Sequence, residues 1–192
     1  MDIYNIALFL HVSAAIGYFI SMGTWLFALA GLRRAQRVEQ VRALSQLIRR
    51  LGPLFAISVL LILVSGLYMA ITAWGLRTGW IDVALTSLIL MAPLGTAFIE
   101  PRRRAIDLLA QETPDGPLPQ SLEQRTHDPV LLTALQTITV LLLGIVFLMT
   151  NKPSATISLI TMAVALVVGL ASGVLASRVG RSRGQRVPEP VG

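Results

Sequence analysis

The 192-residue chain contains no cysteine. That excludes disulfides, thiolate metal sites and thiol catalysis. Lysine occurs once, as Lys152, and histidine only as His11 and His127. Charged residues make up 14% of the chain, against about 25% in soluble domains. The deficit is uneven: long stretches hold no charge, and the charges crowd between them. No Walker A, GxGxxG, HExxH or GxSxG sequence is present, so nothing supports an ATP-driven pump or a hydrolase.

What remains is apolar. Hydrophobic residues are 54% of the chain and the mean hydropathy is +0.71. Five runs are long enough to cross a bilayer, which takes about 20 residues. They cover 3–32, 53–74, 80–99, 129–150 and 155–177. The first is too long and lacks the basic start of a signal peptide, so it reads as a span and not as a cleaved leader. Short turns join spans two to three and four to five, which predicts two antiparallel helical hairpins. The expectation is an all-α transmembrane bundle of four core helices plus a fifth, in one domain over 1–177. An odd number of spans argues against an inverted repeat covering the whole chain.

The basic residues give the direction. The loops after spans one and three and the C-terminal tail carry 14 of them, and the other side carries Arg77 and Lys152. The positive-inside rule then places the N-terminus outside and the C-terminus in the cytoplasm. This distribution explains the net charge of +6 without invoking nucleic acid. Trp74 and Trp80 fall at the outer interface, where indoles anchor. Residues 33–50 space Val38, Val41, Leu44 and Ile48 as an amphipathic helix extending span one or two, with arginines toward lipid headgroups. Residues 101–128, with Pro114, Gly116, Pro117 and Pro119, read as a flexible connector. The tail, 178–192, reads as basic and disordered.

In lipid, small and polar residues mark the helix contacts. Span one alternates His11, Tyr18 and Trp25 with Ala7, Ala14, Ser21 and Ala28 on one stripe. Span two offers Ser58, Ser65, Met69 and Thr72, and span four offers Thr133, Gln136 and Gly144. Span three places Asp82, Thr86, Pro93 and Glu100 on one face, and Pro93 predicts a kink. These polar stripes are expected to face inward. Span five repeats small residues, including Gly169 and Gly173, a ridge for close packing against the other helices or a second copy of the chain.

His11 is the one histidine within a span, roughly 12 Å along its helix. An ionisable group at that depth is a functional candidate. Imidazole ligates haem iron or another metal, or relays protons; a neutral, hydrogen-bonded packing histidine is the other reading. Met69 is at similar depth as a candidate second axial ligand, and Asp82 as a carboxylate that orients the imidazole. His127, in Thr126-His127-Asp128-Pro129, belongs to a helix-capping segment at the other membrane face.

The string Leu8-Phe9-Leu10-His11-Val12-Ser13-Ala14-Ala15, then Gly17, the Ser65-Gly66 step and the Lys152-Pro153 close of span four carry a family resemblance. The chain resembles a broad group of small bacterial inner-membrane proteins. The group includes the copper-resistance D domain, HemJ-type protoporphyrinogen oxidases and predicted integral membrane proteins of unknown function. The resemblance covers spans one to four. It implies haem b held by His11, or copper handling. The segment Gly31-Leu32-Arg33-Arg34 lacks the further histidine of the oxidases, so the uncharacterised branch is the nearer one. Three readings follow: a membrane protein with a haem or metal site at His11, a haem-dependent oxidoreductase, and a permeation protein with Asp82, Thr86, Ser65 and Gln136 along a polar path.

Overall fold

The computed structural model describes residues 2–75 and 77–184, with side chains described as far as Ser177. Every regular element is helical among these residues. Helix α1 covers Ile3–Leu32 and is capped by the Asp2 carboxylate, which accepts from the Tyr4 amide. Helix α2 covers Val38–Met69 and runs on through a π-turn, Ala70–Trp74. Helix α3 covers Gly79–Pro93 and passes into a second π-turn, Leu94–Ile99. Helix α4, Glu100–Glu112, follows without a break, and the short α5 is Gln120–Thr126. Helix α6 is Pro129–Asn151 and α7 is Ala155–Gly184. Five of these stretches are long and apolar enough to span a membrane.

The amphipathic segment extends span two, one of the two expected arrangements, and the two form one helix with Pro53 inside it. Proline removes one backbone bond, a loss that membrane helices tolerate. At Pro93 the missing donor coincides with the change from α to π register. The α2 π-turn ends at Gly75, whose amide donates to the Ala70 carbonyl at 2.7 Å and whose φ of 77° favours glycine.

The connector 101–128 is not a loose one. Most of it is helical, and Ile106, Ala110 and Leu122 are buried. Arg42 explains part of this order. Its guanidinium donates to the carbonyls of Ala110 and Thr113 and pairs with Asp115 at 2.7 Å, closing the C-terminal end of α4. Arg49 reaches Asp107 at 3.5 Å. These arginines therefore tie α2 to α4 instead of turning to headgroups. Backbone bonds from Val38 to Gly116 and from Leu118 to Gln36 clamp the same corner. The expected tail also changes: α7 continues to Gly184, and residues 185–192 lie outside the described residues.

Packing divides the spans into α1 with α2, and α6 with α7, with α3 against α6 and α7. On α1 the predicted stripe is buried at Ala7, Ala14, Tyr18, Ser21 and Ala28. On α3 the expectation fails. Its inward face is Trp80, Ile81, Ala84 and Met91, while Asp82 and Thr86 are exposed. The reason is local: Ala84 lets the helix approach its neighbours, and Asp82 belongs to the first turn, where the helix dipole favours an anion. The α7 glycines pack within the chain. A Cβ on Gly173 would lie 2.5 Å from Thr133 Cα, and one on Gly169 would lie 2.7 Å from Thr137 Cα.

Both contacts are with backbone, which cannot swing away. Gly173→Ala is expected to cost about 1–3 kcal/mol and to lower the melting temperature in detergent. Gly23→Ala, where a Cβ meets nothing within 4 Å, is expected to leave it unchanged or slightly raised. Equal melting of the two variants would contradict this packing.

Candidate functional site

Hydroxyls in the spans mostly satisfy themselves. Ser21 donates to Gly17, Thr24 to Ile20, Thr72 to Tyr68, Thr137 to Thr133 and Thr161 to Ile157, each within its own helix. His11 does something different. Its Nδ1 lies 3.1 Å from the Ile62 carbonyl oxygen and 3.2 Å from Ser65 Oγ, both on α2. Among the described residues, this is the only side-chain hydrogen bonding that links two helices inside the spans. The other bonds of this kind, from Arg42 and Arg102, lie at the arginine-rich end.

The partners fix the tautomer. A carbonyl only accepts, so Nδ1 carries the proton. Ser65 commits its hydroxyl hydrogen to the Leu61 carbonyl, which leaves its oxygen as a further acceptor for the same N–H. Nε2 then holds the lone pair and has no hydrogen-bond partner among the described residues. Gly66 makes the approach sterically feasible: a Cβ there would lie 3.0 Å from His11 Cε1 and 3.3 Å from Nδ1.

The imidazole borders a cavity of about 750 Å³ between α1, α2, α3 and α6. That is within the usual range of small-molecule and cofactor sites, about 300–1,000 Å³. Apart from His11, Tyr18 and Thr150, its walls are hydrocarbon, glycine and the thioether of Met149. Ile16, Ile20 and Leu67 line it and are also exposed on the lipid side, so the cavity reaches the bilayer. Beyond its α2 wall at Ala70, the bundle ends in a capped aromatic corner. Trp74 and Trp80 meet edge to face at 5.5 Å, and Lys152 Nζ stands 4.3 Å over the Trp74 ring.

The other predicted site residues are not gathered here. Met69 is buried on α2 but does not line the cavity. Asp82 is exposed and makes no side-chain bond to the imidazole, whose N–H is taken by Ile62 and Ser65. Thr86, Ser65 and Gln136 do not line the cavity either, so no polar path forms through it. His127 bonds the Glu123 carbonyl at 3.0 Å and ends α5; Asp128 caps α6 through the Val130 amide at 2.8 Å. The residues that sequence reasoning missed are Ile62 and Met149. Ile62 contributes a main-chain oxygen, which no side-chain pattern announces. Met149 is indistinguishable in the sequence from any other apolar residue near a helix end.

A family model described as Predicted integral membrane protein (DUF2269) matches residues 5–153. The chain belongs to this family. The match agrees with the branch of predicted integral membrane proteins of unknown function and gives no support to the copper-resistance D and HemJ-type groups. His11, Gly17 and Ser65-Gly66 are packing requirements of the α1–α2 seam: a Cβ on Gly17 would lie 2.7 Å from Ser58 Oγ, and Gly66 faces His11. A seam of this kind can recur without a shared activity. The DUF2269 match ends before α7 begins at Ala155, so it covers spans one to four. No curated protein and no solved structure matches the chain.

The tautomer is directly measurable. With His127→Ala leaving one imidazole, ¹⁵N spectra of histidine-labelled protein are expected to show neutral His11 protonated at Nδ1. In Gly66→Ala the added methyl pushes the ring from α2 and that preference is expected to weaken. A dominant Nε2–H form in the Gly66 protein would contradict the assignment.

Proposed function

We propose that the chain is a multi-pass membrane protein that binds haem b, a flat cofactor with an apolar ring face and edge and two propionates, with His11 Nε2 as an axial ligand. The observation that carries this reading is the tethered imidazole at the edge of the cavity. Histidines that ligate metals donate their other ring N–H to a carbonyl or carboxylate, which fixes the ring and raises the basicity of the free nitrogen. His11 has that arrangement with Ile62 and Ser65.

The choice of haem over a bare ion follows from the donor set. Among the described residues, no group of three or more His, Asp or Glu side chains could hold a metal ion. One imidazole is a weak trap for a free copper ion. A porphyrin carries its own in-plane nitrogens and needs only axial donors. When bound, haem would supply one-electron or oxygen chemistry. The chain's own contribution is to orient the imidazole, shield the group with hydrocarbon and admit it from the bilayer. Met149 is a better candidate second donor than Met69, because it lines the cavity and Met69 does not. The aliphatic lining disfavours permeation, since a pore requires polar groups along its length. We place the arginine-rich end in the cytoplasm of a bacterial inner membrane, which puts His11 in the outer half.

The test is the visible spectrum of protein purified in mild detergent from cells supplied with haem. A Soret band is expected in the wild type with stoichiometric iron. It is expected to disappear in His11→Ala, and Met149→Leu is expected to shift it toward a five-coordinate form. A colourless, iron-free wild type from such cells would overturn the haem reading.

A further inference from the structure

Another opening lies at the arginine-rich end, away from His11. It is a groove of about 400 Å³ between the α3 π-turn, α6 and α7, walled by residues that include Phe98, Val130, Ala134, Leu166 and Leu170. Phe98, Val130, Leu166 and Leu170 are all more than a third exposed, so the groove opens sideways on the bilayer. Leu166 and Ser177, at its two ends on α7, are about three turns or roughly 16 Å apart. That is about half the ~30 Å hydrocarbon thickness, the depth of one leaflet.

One cation is fixed beside this groove. Arg102 donates from Nε to Asp128 at 2.9 Å and from Nη1 to the Phe98 carbonyl at 2.9 Å. Its guanidinium stands 6.0 Å from the centre of the Phe98 ring. Phe98 and Pro129, the residue after Asp128, line the groove. Nη2 has no partner among the described residues. An arginine held by two bonds has already lost much of its rotamer freedom, so a third, charge-assisted bond to a phosphate costs little further ordering.

We propose that this groove is a binding site for an anionic phospholipid of the adjoining leaflet, one acyl chain lying along α6 and α7 and the phosphate meeting Arg102. The apolar walls alone would take any lipid. Arg102 ranks lipids by headgroup, because its guanidinium repels a choline and the Asp128 oxygens that would attract one already accept from Arg102 and the Val130 amide. The site is built partly from α7, so one wall of it lies outside the segment matched by the family model, and it is independent of any cofactor at His11.

Native mass spectrometry of the delipidated full chain tests this with phosphatidylglycerol and phosphatidylcholine of the same acyl chains. One phosphatidylglycerol is expected to survive activation that strips phosphatidylcholine. Arg102→Gln is expected to reduce that retention about tenfold, to the phosphatidylcholine level. Ala134→Phe, which fills the groove and keeps the cation, is expected to lose the bound lipid while melting like the wild type; Ala134→Leu serves if the larger ring disrupts folding. Glycerol phosphate is expected not to compete, since it lacks the chain. Equal retention of both lipids, or unchanged retention in both variants, would overturn the proposal. So would a dimer that Ala134→Phe splits, because the groove would then be an interface between copies.

Discussion

Hydrocarbon supplies no hydrogen-bond partners, and that constraint orders the rest of the molecule. Serine and threonine meet it locally. Their hydroxyls fold back onto carbonyls of the preceding turn, so they add little to helix association. The His11 imidazole does not fold back in this way; its N–H is satisfied by crossing to α2. One hydrogen bond therefore fixes the register of α1 against α2 where small residues alone would let it slide. The seam agrees with it: Gly17 lies against Ser58 and Gly66 against His11, on the same pair of faces. Tyr18 and Trp25 stack on Phe55 further along, at 4.8 and 6.3 Å.

The two ends of the bundle are built differently. At the arginine-rich end, α2 and α4 are joined by Arg42 and Arg49, and α4 is joined to the α6 cap by the pair between Arg102 and Asp128. The void between α1, α2, α4 and α6 there, among Trp25, Leu32, Ile106 and Leu131, is only about 20 Å³, room for one water. The larger groove at this end lies on the other side of α6, against α7. At the tryptophan end α1 scarcely meets α6, and the gap becomes the large cavity. Helix α6 bears on both ends. It is the most buried span, packing Thr133, Thr137 and Gly144 against α7 while Leu142, Ile145 and Val146 face the cavity. A closed end fixes the helix directions, and an open end then follows from their separation.

The five spans were legible because hydropathy reports directly on what the bilayer admits. The α1 stripe was legible because lipid makes small and polar residues the marked ones. The same logic misread α3. Asp82 and Thr86 looked inward by polarity, but a first-turn carboxylate reaches the interface and a threonine hydroxyl can serve its own helix, so neither needs burial. The connector 101–128 was misread for a related reason. Its prolines and glycine do mark turns, around Gly116 and Pro119. Its order comes from Arg42, whose target is a set of carbonyls. Main-chain acceptors have no signature in the sequence, and the same blindness hid Ile62 from the reading of His11.

The position of that tether also bears on what a ligand at His11 would do to the fold. The imidazole is held by α1 and α2 alone, while the far walls of the cavity belong to α3 and α6. A bound group would therefore touch both halves of a bundle whose halves barely touch each other at this end. Its binding energy would appear as resistance to separating α1–α2 from α6, growing with ligand concentration above the dissociation constant. The arginine-rich end gains nothing from such a ligand, because it is already closed. Stabilisation would thus be confined to the tryptophan end, the region where the apolar surface between the helices is least satisfied by the chain itself.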